Sequence, residues 1–314
     1  MRKGQMRWTV AVVASTGVVA AGVGAVVHSR TNPPVREAAD VAAPLQVSAA
    51  EADQTERYWT ARRMTAAAPV AGRALQPQVG ARAATPRGVP TAKAFGGVRT
   101  IGALFFTTQD KRDHYCTASV IASNSKRLLL TAAHCIHGGK GHGYVKNVAF
   151  VPKYDRGRAP YGVWTARSAL VYSGWQKRGD PDLDFGFVTL NPRKGRNIQS
   201  VVGAYRLGIN RGTGLWVNVA GNPKAAWDRR DRPIWCRVKT RRQSRYQIRM
   251  DCGGFYGGTS GSPWILNYNP RNNTGYVNGV LGGYQGGGNT HYTSYSPYFD
   301  KDIHNLRKLA DSRA

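Results

Sequence analysis

From about residue 95 the chain runs in short apolar or alternating stretches separated by Gly, Asn and Pro, a two-residue periodicity that fits strands. Residues 99–107, 116–122, 127–131 and 184–190 carry this texture first; residues 215–220, 235–239, 246–250, 263–267 and 276–283 carry it again. Strands so spaced suggest antiparallel barrels or a sandwich. One helix is predicted, at the end of the chain, where Asp300 can cap a stripe of Ile303, Leu306 and Ala310.

The region before residue 95 reads differently. Arg2, Lys3 and Arg7 precede an uncharged apolar run over residues 8–27 that stops at His28 and Arg30, the layout of an export signal over 1–30. The run is also long enough to stay in a bilayer as an N-terminal anchor facing outward. Residues 31–94 are rich in Ala, Pro, Val and Arg, with no sustained helical or strand period, so they read as a propeptide or a disordered linker. Residues 95–314 form the folded domain, and the chain is expected to be secreted.

Cysteine use agrees with an oxidising compartment: Cys116, Cys135, Cys236 and Cys252 pair with none left over. Three connectivities are allowed, and the two local pairings, Cys116 with Cys135 and Cys236 with Cys252, are favoured. In the chain-entropy view each closed loop contributes about 3 kcal/mol. No CxxC spacing occurs, so no zinc site, other metal or cofactor is expected.

Net charge is +28, and residues 95–314 carry 33 Lys plus Arg against 12 Asp and no Glu, a difference of +21. Much of this field sits between Lys224 and Arg249, including Arg229, Arg230, Arg241, Arg242 and Arg245. Such a stretch attracts polyanions, anionic cell-surface polymers among them, or simply solvates the protein. No RNA- or DNA-binding signature accompanies the charge, so dedicated nucleic-acid binding is not expected. A monomer is.

The chemistry lies in three segments. A serine hydroxyl needs a base, a group that orients the base, and donors for a developing oxyanion. In TAAHC, His134 follows a strand and is held by Cys135; in GGTSGSP, glycines on both sides of Ser260 allow a sharp turn that aims the amides of Gly258 and Ser260 at one point. Between them, in DLDFGFVTL, Asp184 enters an apolar strand where a buried carboxylate needs a partner, which His134 can supply. Asp182 takes that role instead if the strand starts two residues earlier.

TAAHC, DFGFVTL and GGTSGSP, in the order His, Asp, Ser, resemble the signature segments of chymotrypsin-like (trypsin-fold) serine peptidases. The segments IGALFF, CTASVI and SPYF are similar to those of the bacterial glutamyl-endopeptidase-like branch. The resemblance implies an all-β domain of two six-stranded antiparallel β-barrels with a C-terminal helix. It also implies a serine endopeptidase acting on proteins or peptides through His134, Asp184 and Ser260. A non-catalytic basic relative that binds anionic surfaces is the alternative.

Two positions depart from the family. Thr259 stands where trypsin-like members carry an Asp that pairs with a new amino terminus, and no IVGG start exists. No acid precedes Ser260 at the pocket position, which disfavours Arg or Lys before the scissile bond. Leu281 stands near the place of the glutamate-reading His, within Gly282, Gly283 and Tyr284. Either His291 reads an acidic side chain, or Phe255, Tyr256 and Tyr284 line an apolar pocket.

Overall fold

Strands β1 (Ile101–Thr107), β2 (Asp113–Val120), β3 (Leu128–Thr131), β4 (Lys146–Pro152), β5 (Trp164–Leu170) and β6 (Gly186–Leu190) close on themselves, each antiparallel to its neighbours in the order β1-β2-β3-β6-β5-β4. The computed structural model describes residues 40–70, 84–223 and 232–314, so the apolar run at 8–27 and the first cations of the 224–249 stretch lie outside the described residues. Leu104, Phe106, Val120, Leu129, Phe150, Trp164 and Val188 fill this barrel. Closure leaves no free edge within the ring, which is how such sheets avoid pairing with other chains.

The second barrel is built from β7 (Trp216–Gly221), β8 (Ile234–Lys239), β9 (Gln247–Asp251), β10 (Pro263–Asn269), β11 (Thr274–Val280) and β12 (Thr293–Pro297). β8, β7, β10 and β11 form one sheet in that order, while β9 and β12 pair separately. Gly282 N donates to Tyr295 O and Val280 N to Ser296 Oγ, joining the two sheets beside β11. β8 shows strict alternation, with Ile234, Cys236 and Val238 inward and Trp235, Arg237 and Lys239 outward. The four cysteines form two disulfides, Cys116–Cys135 and Cys236–Cys252.

A third cluster joins the barrels: Leu128, Phe185 and Phe187 meet Val277, Val280 and Phe299. The terminal helix docks there with Ile303, Leu306 and Ala310 buried, and Asp300 accepts from Asp302 N at 2.9 Å as its cap. Burying side chains of this size is worth about 1.5–3 kcal/mol each.

The sequence predicts no regular element over residues 31–94, yet α1 (Ala49–Tyr58) and α2 (Ala61–Ala66) form there, and the linker expectation is corrected for the described part. A capping box, Ser48 with Glu51, starts α1. What holds the segment is a few anchors rather than an apolar stripe. Trp59, Met64 and Ala67 are buried against Ala103, Phe105, Tyr115, Val151 and Tyr154, and Trp59 Nε1 donates to Asn147 O at 2.6 Å. Tyr58 and Arg63 both donate to Asp113, at 2.6 and 2.8 Å. This explains why β1 and β4 are apolar on both faces: one lines the barrel and the other receives the segment. The segment's ends extend the sheet, with Leu45–Gln46 antiparallel to β5 and Ala68–Pro69 parallel to β2 at His114 and Tyr115. Lys93–Ala94 pairs with β8.

Candidate active site

His134 sits in a single 3-10 turn, Ala133–Cys135, directly after β3, and the Cys116–Cys135 disulfide ties that turn to β2. Its backbone N donates to Asp184 Oδ1 at 2.9 Å, and its Nδ1 lies 2.8 Å from Asp184 Oδ2. An ionised carboxylate only accepts, so Nδ1 carries the proton and the neutral ring keeps Nε2 as an acceptor. The ring is held at both ends of this contact, by main chain and side chain together.

Asp184 follows the 3-10 turn Pro181–Leu183 and is fully buried. Its Oδ2 also accepts from Gly283 N at 2.7 Å, so the carboxylate has three donors, which offsets the cost of burying a charge. Position 282 has no room for a side chain, because a Cβ there would lie 2.9 Å from Asp184 Oδ2 and 3.1 Å from Ala132 Cβ. Asp182 faces the other way, with its Oδ1 accepting from Gln247 Nε2 at 2.8 Å.

Ser260 lies in a loop held from the first barrel. Thr117 N donates to Ser260 O at 2.7 Å and Thr117 Oγ1 to Gly258 O at 3.0 Å, while Asn222 N donates to Thr117 Oγ1 at 3.0 Å. Gly258 has φ +98°, a conformation side chains rarely adopt. The amides of Gly258 and Ser260 donate to no partner among the described residues. Thr259 closes the loop on itself, its N and Oγ1 both donating to Tyr256 O. At this position a neutral hydroxyl does the holding.

His134 Nε2 and Ser260 Oγ are both buried and neither makes a hydrogen bond. Leaving a buried polar atom unpaired costs about 1–3 kcal/mol. Nearby, the Trp175 ring lies 6.5 Å from the imidazole and its Nε1 donates to His137 O at 2.9 Å. His137 is itself buried, its Nδ1 accepts from Gly139 N at 3.0 Å, and burial and then the charge of His142 hold its pKa down.

The expected substrate contacts divide. Phe255 and Leu281 are buried and packed with Val238, Ile248, Met250 and Trp264. Gly282 and Gly283 serve Asp184. Tyr256 and His291 stack at 4.6 Å, and His291 Nδ1 accepts from Gly254 N at 3.1 Å. Tyr284 is exposed, edge-on to Tyr295. Thr117 and Gln247 touch the site and carry no local signal, since the partners of their side chains lie 37 to 141 residues away.

A family model described as Trypsin matches residues 91–301, more than half of the chain. This chain belongs to the trypsin family. It is a serine endopeptidase of that family, with the family's two-barrel fold. The Anisep protease from Arthrobacter nicotinovorans is similar, at 29% identity and a TM-score of 0.64, covering 71% of this chain and all of that one. AL20, a thermostable serine protease from an extremophilic microorganism, is 28% identical with a TM-score of 0.62, covering 69% of this chain and 98% of AL20. A Glu endopeptidase shares the fold at 18% identity and a TM-score of 0.56, covering 72% of this chain and 98% of its own. No curated protein matches.

Proposed function

We propose that this trypsin-family chain is a secreted endopeptidase that cuts peptide bonds with Ser260 as nucleophile, His134 as base and Asp184 as the group that orients the base. The observation that carries the reading is the Asp184 contact with both N and Nδ1 of His134, which leaves Nε2 as an acceptor, while Nε2 and Ser260 Oγ are each buried without a hydrogen-bond partner. Substrate entry brings Oγ and Nε2 together, since such bonds often tighten only in the complex.

In that step Ser260 Oγ bonds to the scissile carbonyl carbon and its proton passes to His134 Nε2. The carbonyl electrons move to oxygen, where the amides of Gly258 and Ser260 donate. Collapse breaks the C–N bond, and the amine leaves with the proton from Nε2. Water then repeats the sequence on the acyl-enzyme.

Residues 1–30 are read as the export signal and residues 31–94 as a pro-segment that folds onto the catalytic domain. Support for the second comes from Ala68–Pro69, which pair with β2 at Tyr115, a residue whose ring would block any Cβ at Gly258. The family match beginning at residue 91 agrees with that division. The cationic stretch toward Arg249 suits anionic cell-surface polymers.

Incubating the secreted protein with a peptide library, beside a Ser260→Ala variant, tests the reading. Cleavage by the parent chain alone is expected, and mass spectrometry of its own amino terminus locates processing. Equal cleavage by both proteins, or none by folded parent protein, would overturn it.

A further inference from the structure

Gln247, on β9, is buried, and its side-chain amide is bound at both ends. Nε2 donates to Pro181 O at 2.9 Å and to Asp182 Oδ1 at 2.8 Å; Oε1 accepts from Tyr284 N at 3.1 Å. The first two partners belong to the 3-10 turn that immediately precedes Asp184. The third is next to Gly283, whose amide donates to Asp184 Oδ2. Gly283 has φ +82°, and a Cβ there would collide with Gln247 Oε1. One primary amide therefore spans the two chain segments that meet at the buried carboxylate, and neither segment reaches the other across it by any strand pairing.

We propose that Gln247 is a positioning residue for the Ser260 reaction, clamping the turn that carries Asp184 to the turn that supplies the carboxylate's third donor. The inference rests on the reading of Asp184 as the group that orients His134. An amide suits this place because it donates and accepts at once. A carboxylate would face Asp182 and Pro181 O with no proton to give, and an apolar residue would leave Tyr284 N without a partner and Pro181 O with Asp184 N alone, at 3.3 Å. The side chain of Gln247 hydrogen-bonds neither His134 nor Ser260 among the described residues, so its effect passes through Asp184. Small misplacement of a group remote from the reacting atoms can cost on the order of 100-fold in rate.

The test is a double-mutant cycle on the full chain, with kcat and KM measured on a cleaved peptide amide and thermal unfolding followed in parallel. Gln247→Ala is expected to lower kcat by about 10- to 100-fold with KM nearly unchanged. In an Asp184→Asn background the same change is expected to cost nothing further. If it costs the full factor again, Gln247 acts elsewhere and the proposal is overturned. If Asp184→Asn alone keeps parental activity, the reading of Asp184 falls and takes the proposal with it. Should the alanine variant fail to fold, Gln247→Glu keeps the acceptor for Tyr284 N and the side-chain volume. Parental kcat in that variant at neutral pH also overturns the proposal, and a kcat loss that vanishes in the Asp184→Asn background supports it.

Discussion

Thr117 N donates to the carbonyl of Ser260 at 2.7 Å, so the nucleophile loop of the second barrel hangs from a strand of the first. The Thr117 hydroxyl adds a relay, taking from Asn222 N and giving to Gly258 O at 3.0 Å each. Thr117→Val keeps shape and loses both bonds. It is expected to destabilise the fold by about 1–3 kcal/mol, with a drop in kcat, because two buried backbone groups lose their partner. Chemical unfolding and steady-state kinetics read the two effects; parental values in both would contradict the relay.

Gly258 tests the donor geometry. A Cβ there would lie 2.6 Å from both Asn222 O and Tyr115 OH, at a φ that alanine strongly disfavours. Gly258→Ala is expected to lower kcat by about 100- to 1,000-fold, the usual cost of losing one oxyanion donor. A fall in KM-dependent binding with kcat intact would show that the amide acts on the ground state instead.

Trp59 tests the docked amino-terminal segment. Its indole is buried beside Phe105, 5.2 Å between ring centroids, and Nε1 is satisfied by Asn147 O. Trp59→Ala in the full chain is expected to cost about 3–5 kcal/mol of stability. A change below about 0.5 kcal/mol, the range of an ordinary surface substitution, would mean that the segment does not pack there in solution.

Strand and nucleophile segments were legible because their signals are local. The alternation of β8, the cap at Asp300 and the glycines around Ser260 each lie within a few residues of what they specify. The amino-terminal helices were not, because α1 carries a capping box but almost no apolar face, and its anchoring falls to Trp59, Met64 and Ala67 beyond it. Gln247 was invisible, since its role exists only once residues 181 and 284 arrive beside it.

His137 supplies a pH dependence of stability. Its folded pKa lies below the ordinary value because burial penalises the charged ring. As pH falls below about 6.5, the unfolded chain takes up a proton that the folded chain resists, so stability drops on acidification and is unaffected above that range. His137→Asn is expected to flatten this slope between about pH 7 and pH 5, measured by urea unfolding at each pH. Identical slopes in parent and variant would remove His137 from the account.

The central claim is that Ser260 is a nucleophile activated by His134. A fluorophosphonate probe followed by peptide mapping tests it directly, because the probe bonds covalently only to an activated serine hydroxyl. The account predicts a single adduct on Ser260 in the folded parent protein, lost in Ser260→Ala and nearly abolished in His134→Ala. Correctly folded parent protein that takes no label, or that labels equally well without His134, would contradict it.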